Sequence, residues 1–377
     1  MNLTISCLCI SHLFSSPALS RSNAKHINLD KSTILRSYSH FFYNIPILCI
    51  DNSVFSNFTS SAIFYSSHLP ENLIIDYNQT YNSRPENQPM LLNNITIRNA
   101  RFLHCKSQGN GGALCHLSFE HWGSIIAHDS IFVDCSASPN SELYHQYGSG
   151  GAIFFLGNYS RFSNIYAYKC RAEEDGQFIY LEHLNSNPME FNMEFTTISK
   201  CSEISYPGGY YAAFIKDAEM KISNVNISNC DVKYKYSAMM LTGKHKKNMK
   251  NSIFDSNFGH SLIWFNRGEE KKTDIQNTCF TKNGNHEKNR QIALIRFSSE
   301  VNFHNCLFLK NFGETFSRIG VDPLHLNLYK CIFDEKFNET DGVVPNECSY
   351  EAKEISLPKI KFSNEKLIHL IHELYHL

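Results

Sequence analysis

Four absences narrow this 377-residue chain before any motif is considered. No stretch supplies the roughly 20 apolar residues that a spanning helix needs; FFYNIPILCI, Phe41 to Ile50, is ten residues long. No transmembrane helix is therefore expected. There is no charge excess: the formal net charge is -1 and the pI is about 7.0. Nucleic acid is not an expected partner, and nothing global favours anionic lipid. None of the 13 cysteines belongs to a Cys-x-x-Cys pair, so paired zinc-knuckle spacing is missing. Finally, charged residues are scarce, 19% against 42% hydrophobic, which argues against general disorder.

Aromatic side chains are plentiful, 28 Phe and 19 Tyr, and Asn and Ser recur throughout. That mixture favours strands joined by polar turns. The length allows two or three average domains or one elongated repeat structure. The first twenty residues, MNLTISCLCISHLFSSPALS, are uncharged and modestly apolar and end in small residues. They read as a signal peptide cleaved near residue 20, although a basic start is missing and His12 interrupts the apolar stretch. Asn57, Asn78, Asn94, Asn158, Asn226 and Asn338 each open an Asn-x-Ser/Thr sequon, the glycosylation candidates of a secreted chain.

Internal repetition governs the rest. An alternating apolar stretch leads into Phe, Ile or once Ala, then two variable residues, then Cys or Asn. The phrase ends at Cys105, Cys135, Cys170, Cys201, Cys230, Asn257, Asn283 and Asn311, with a degenerate ninth copy, FDEK, ending at Lys336. Successive ends are 30, 35, 31, 29, 27, 26, 28 and 25 residues apart. A second phrase follows in phase: GNGGALCHL from Gly109, GSGGAIFF from Gly148, PGGYYAAFI from Pro207, SAMML from Ser237, GHSLIWF from Gly259 and RQIALIRF from Arg290. SSAIFY at Ser60, after FSNF at Phe55, is an earlier copy.

Strand-length segments at this period, with no amphipathic helix between them, point to a single-stranded parallel β-helix. A βαβ fold needs a crossover helix in each unit, and a propeller blade is longer. Stacked coils turn equivalent positions into columns. Cys and Asn at the end of the phrase then form a structural ladder, expected to share size and fit to a corner rather than chemistry. Cys306 and Cys331 lie two residues before Phe308 and Phe333, whereas Cys279 lies one before Phe280. Cys279 should therefore face the other way. Adjacent coils also bring cysteines near the separation a disulfide permits, but one cysteine per coil specifies no pairing.

GGAL (Gly111 to Leu114) and GGAI (Gly150 to Ile153), together with the Phe-x-x-Asn/Cys phrase, resemble the repeat signature of polymorphic outer-membrane-type proteins. The matching phrases span roughly residues 50 to 340. The resemblance implies a right-handed parallel β-helix on a cell surface or secreted, engaged in adhesion or host contact. It departs from that pattern in carrying neither an autotransporter barrel nor a C-terminal membrane helix.

The tail FSNEKLIHLIHELYHL reads as an amphipathic helix capping the stack. Its HELYH string puts His372 and His376 one turn apart with Glu373 between them, as in zinc proteases. The chain shown ends one residue after His376, with no third ligand downstream, so a catalytic zinc is not expected and no metal or other cofactor is assigned. Carbohydrate-active enzymes that use β-helices cluster carboxylates on adjacent coils. Asp134, Asp255 and Asp334 fall in non-adjacent copies, the cluster Glu173–Asp175 reads as a solvated loop, and so does the basic run Lys244–Lys247 with Lys250. No catalytic residue is assigned. The expected layout is a signal over 1–20, an irregular cap over 21–44, β-helix over 45–345 and a tail with a helix over 346–377. The expected function is non-enzymatic contact with a host or cell-surface protein or glycan; a lyase- or hydrolase-like enzyme on the same scaffold is the alternative.

Overall fold

A computed structural model describes residues 2–11, 16–20, 25–66, 93–118, 123–139, 147–183, 190–202, 210–232, 237–243, 245–266, 272–284, 293–312, 314–318, 326–334 and 343–350. Among them every regular element is a strand. The strands form parallel sheets of 23, 11 and 3 members, so the chain is an all-β solenoid of stacked coils.

One coil shows how sequence produces the plan. In Asn93–Arg98, NNITIR, alternate residues are buried, and Ile95 and Ile97 point inward. Asn99 then takes φ 49° and turns the chain into Arg101–Leu103, and His104, at φ 52°, turns it into Lys106–Gln108. Leu114–Leu117 closes the coil. The next coil repeats this one layer away: Ile95 faces Ile125, Phe102 faces Phe132 and Leu114 faces Ile153. Between these strands Gly150 sits at φ 68°, and a β-carbon there would come 2.3 Å from the Ile153 carbonyl oxygen. Only glycine fits that corner.

Each bend depends on one residue in the left-handed region, where Asn and Asp are tolerated best. Asn52, Asn99, Asn164, Asn224, Asn251, Asn277 and Asn305, with Asp129, occupy the first bend. All lie three residues before the phrase's apolar position. The abundant asparagine is thus bend material, and its fixed offset is the sequence signal that reveals it.

Inside, the apolar position becomes a stack of rings. Phe55, Phe102 and Phe132 succeed one another at 5.0 Å, with ring planes within 5°. Phe254, Phe280, Phe308 and Phe333 repeat the arrangement at 5.3, 4.8 and 4.8 Å. All of them are buried, each contributing about 1.5–3 kcal/mol by leaving water. Cys306 and Cys331 belong to this core, whereas Cys279 lies outside it on the opposite side of its strand.

At the ladder corner, Cys and Asn turn out to share chemistry as well as size. Asn257, Asn283 and Asn311 each donate Nδ2–H, at 2.8 Å, to the phrase-opening carbonyl one coil back: Ile227, Phe254 and Phe280. Their Oδ1 atoms accept the backbone N–H of Cys230, Asn257 and Asn283, each at 3.0 Å. The thiols of Cys135 and Cys170 reach the equivalent carbonyls of Phe102 and Phe132 at 3.5 and 3.6 Å. The expectation of size alone is corrected: both residue types satisfy the same acceptor, and Asn also satisfies a donor.

The N-terminal expectations change. Residues 21–44, read as an irregular cap, contain His26–Asp30, Thr33–Ser37 and Phe42–Tyr43 as ordinary coil strands. The repeat was missed there because Ser37, rather than Cys or Asn, fills the corner slot after Ile34. Of the segment read as a signal, Asn2–Ser6 pairs with His26–Asp30 and Cys9–Ile10 with Thr33–Ile34; Leu3, Ile5, Leu8 and Ile10 pack on the core. At the other end Val343–Asn346 still pairs with Leu326–Tyr329. The tail helix, with His369, His372 and His376, lies outside the described residues.

Replacing Asn283 by Ala leaves the Asn257 amide buried without a partner and removes the side-chain donor to the Phe254 carbonyl, and should cost about 1–3 kcal/mol. Cys170→Asn should cost under about 1 kcal/mol, because the corner already takes Asn, while Cys170→Phe should cost about 1–3 kcal/mol by overpacking. Urea midpoints of the three variants check this order.

Candidate interaction face

The outer side of the long sheet carries the charge. Three outward positions per coil stack into columns, and one of them runs Asn192, Lys221, Asn248, Asp274, Asn302 in register. Across this face the coils form a groove of about 450 Å³ lined by Glu194, Lys221, Asn248, Lys250, Asp274 and Gln276 among others.

Most ionised groups here are neutralised by the neighbouring coil. Arg161 Nη2 lies 3.1 Å from Glu194, Lys221 Nζ 2.7 Å from Glu190, Lys246 Nζ 3.9 Å from Asp274 and Lys272 Nζ 3.0 Å from Glu300. The Lys221 ammonium holds the Glu190 carboxyl below its usual range, aided by Asn192, and Glu190 in turn raises Lys221. Lys250 makes no ion pair among the described residues. It projects into the groove beside the amides of Asn248 and Gln276, which supply further unpaired donors and acceptors there.

The structure also brings together what sequence reading missed. Glu190 and Glu219 face each other on adjacent coils, close enough to flank one bond. The signal was available, since both stand eight residues before the apolar position of their phrase (Ile198 and Ile227). A glycosidic general acid nevertheless needs a carboxyl raised toward neutrality, and Glu190 is shifted the other way. The aspartates noted in the repeat hold coils together. Asp134 accepts from or pairs with His104 at 3.0 Å, Asp255 accepts the Thr281 hydroxyl at 2.6 Å, and Asp334 accepts the Lys310 amide. The basic run is corrected: Lys247 is not exposed but 2% accessible. It points inward from the strand Lys247–Lys250 and donates to the carbonyls of Gly243 and His245. Burial lowers it to about 8.

Of the glycosylation candidates, Asn57 is exposed, at the second bend of its coil. Asn94 and Asn226 are half-buried, and Asn158, 4% accessible, leaves no room for a glycan in the folded coil. Asn78 and Asn338 lie outside the described residues. The ladder residues Cys105, Cys135, Cys170, Cys201, Cys230, Asn257 and Asn283 are fully buried. No group of three or more His, Cys, Asp or Glu side chains is placed to hold a metal among the described residues. No helix of these residues is long and apolar enough to cross a membrane.

The second sheet presents a different exterior. Phe154, Tyr180 and Phe214 stack at 4.9 and 4.7 Å with planes within 12°, and Arg296 lies over Trp264. Stacked rings cover each other's faces, so this column is not a platform for a sugar ring, which needs a free aromatic face. Beneath it His116 is wholly buried between Tyr65 and Phe155, and neither ring nitrogen has a hydrogen-bond partner.

No family model matches the chain, and neither a curated protein nor a solved structure does.

His116 provides a pH test of the interior. Burial lowers its pKa from 6.5 to about 3. The unfolded chain therefore takes up the proton first, and this group's contribution is complete above about pH 6.5 and lost as pH falls toward 3. Stability should drop by about 1.4 kcal/mol per pH unit between pH 6 and pH 5. His116→Leu, matching Leu181 two layers on, should lower the slope by that amount, while His40 and His128, also lowered by burial, keep their own share; an unchanged slope in urea titrations would assign it elsewhere.

Proposed function

We propose that this chain is a non-enzymatic interaction protein of the polymorphic outer-membrane type. It is a right-handed β-helix, secreted or held at a cell surface and closed by its tail helix, whose outer face binds a host or cell-surface protein or glycan. One observation carries the reading. The groove's acids and bases are largely matched in cross-coil pairs, leaving Lys250, Asn248 and Gln276 as groups without partners among the described residues. Unpaired donors on a rigid strand face suit recognition, whereas proton transfer needs a carboxyl held ready to give up its proton. Display outside the cell belongs to the proposal, and Asn57 is its accessible glycan acceptor.

The juxtaposed Glu190 and Glu219 favour one second reading, a carbohydrate-active enzyme. A single set of measurements separates the two. Purified chain is passed over arrayed cell-surface glycans and membrane proteins, and each bound glycan is then assayed for new reducing or unsaturated ends. The expected result is binding without turnover. Changing Lys250 to Glu together with Asn248→Ala and Gln276→Ala should weaken it at least about tenfold, the 1.4 kcal/mol equivalent of one lost charged hydrogen bond, without moving the melting temperature. Turnover abolished by Glu190→Gln would establish the enzyme; full binding by the triple variant would remove the groove from the interaction.

A further inference from the structure

The five cysteines of the ladder stand in consecutive coils and nothing separates them. The flanking residues keep them opposite one another: Leu103 faces Val133 and Lys106 faces Ser136 on the two sides of Cys105 and Cys135. The same register continues through Val133 to Tyr168, Tyr168 to Ser199 and Ser199 to Ser228. In-register parallel strands lie about 4.8 Å apart, within the roughly 4.4–6.8 Å between α-carbons that a disulfide spans. One cysteine therefore stands directly over the next along the column. A second column repeats the arrangement at the next position but one before the core phenylalanine. There Cys306, Cys331 and Cys348 succeed one another, with Leu307 facing Ile332 and Ile332 paired with Ser349 beside them.

The surroundings fit bond formation within each column better than any other use of sulfur. All five thiols of the first column are 0% accessible, and among the described residues no basic side chain is in hydrogen-bond contact to activate them as nucleophiles toward a substrate. Their hydrogen-bond partners are carbonyls of the same corner, Phe102 and Phe132 among them.

We propose that the two columns are covalent cross-linking sites that bolt neighbouring coils together as disulfides when the chain folds under oxidising conditions. In each event two thiols lose two protons and two electrons as the S–S bond forms. A small-molecule disulfide such as glutathione disulfide accepts them and is cleaved to two thiols through a mixed-disulfide intermediate. A cysteine can join only one neighbour, so five thiols give at most two bridges and three thiols one. Each column keeps one free thiol. Because a closed coil buries every sulfur of the first column, exchange there takes place while the coil is still open, and the finished stack shields the bonds from reductant. The chemistry belongs to the chain and does not depend on the interaction role proposed above.

The test is oxidative refolding of the full chain from urea in a glutathione redox buffer, followed by peptide mapping without reduction. The expected bridges join only adjacent-coil partners: Cys105–Cys135, Cys135–Cys170, Cys170–Cys201, Cys201–Cys230, Cys306–Cys331 or Cys331–Cys348. Column bridges should consume six of the 13 thiols, and the urea midpoint should rise over that of the reduced chain. Reduced protein folded beforehand should keep the first column unmodified by the same buffer. A variant with all five ladder cysteines changed to Asn, the residue that the corner already accepts, should fold and lose the midpoint gain from that column. Column thiols all alkylatable after refolding to the native circular dichroism spectrum would overturn the proposal. So would bridges confined to the exposed Cys7 and Cys9, or a stoichiometric thiophilic metal held by the columns instead. Should the Asn variant fail to fold, the wild-type map alone decides.

Discussion

The hydrogen-bonded spacing between coils is the constraint from which the other features follow. Every strand pairs in parallel with the strand one coil away, residue opposite equivalent residue. A side chain is therefore never placed alone: it is placed above and below its own counterparts at about 4.8 Å. Phenylalanine tolerates that well, because flat rings stack at this distance. Asparagine gains from it, since its amide spans one layer and both ends find partners. Charge tolerates it badly, as like charges directly opposite repel. The outer face accordingly answers Arg161 with Glu194 and Lys272 with Glu300 on the adjoining coil. Where carboxylates do meet, each pair has relief nearby. Glu190 has Lys221, and Asp30, opposite Asp51, has Lys31 and the Asn52 amide.

That constraint also decides what could be read from the sequence. Periodicity is legible because the period is a structural distance: the Phe-x-x-Cys/Asn phrase, the Gly-Gly corners and the reversed facing of Cys279 all follow from counting residues. Missed features are those where several residue types meet one physical demand. The corner slot asks only for a side chain that fits, and Ser37 fills it in the coil of 26–43, so that coil escaped a search for Cys or Asn. Lys247 was read as solvated from its neighbours in a basic run, whereas strand alternation turns it inward between Met220 and Thr273. The groove was illegible for another reason. Its residues share no motif and come from separate coils, and their relation exists only once the register is known.

The interior is not uniformly apolar, and the exceptions have different costs. A ladder asparagine is buried with both ends of its amide satisfied, so it stabilises the corner it occupies. His116 is buried with neither nitrogen satisfied among the described residues, and Lys247 is buried with carbonyls as its hydrogen-bond partners and the Asp217 carboxylate as a more distant counter-charge. Both are held closer to neutrality than they would be in water, by desolvation. They are the points at which stacking geometry prevails over the preference of the side chain. A solenoid can sustain such points because each coil leans on two neighbours, so a local deficit is spread along the stack.

The same reasoning bears on function. An active site needs at least one group kept in an uncomfortable protonation state where a substrate can reach it. Among the described residues the most strongly shifted groups, His116, Lys247 and the buried thiols, are in the interior, burial raises the half-buried Asp217, and Glu190, opposite Glu219, is pulled away from protonation by Lys221. The groove presents the reverse arrangement: comfortable charges, matched coil by coil, with a few unpaired donors fixed on strands. On the recognition role proposed above, such a surface would act by shape and hydrogen bonding over several coils. It would gain affinity by extending along the stack rather than by deepening a pocket.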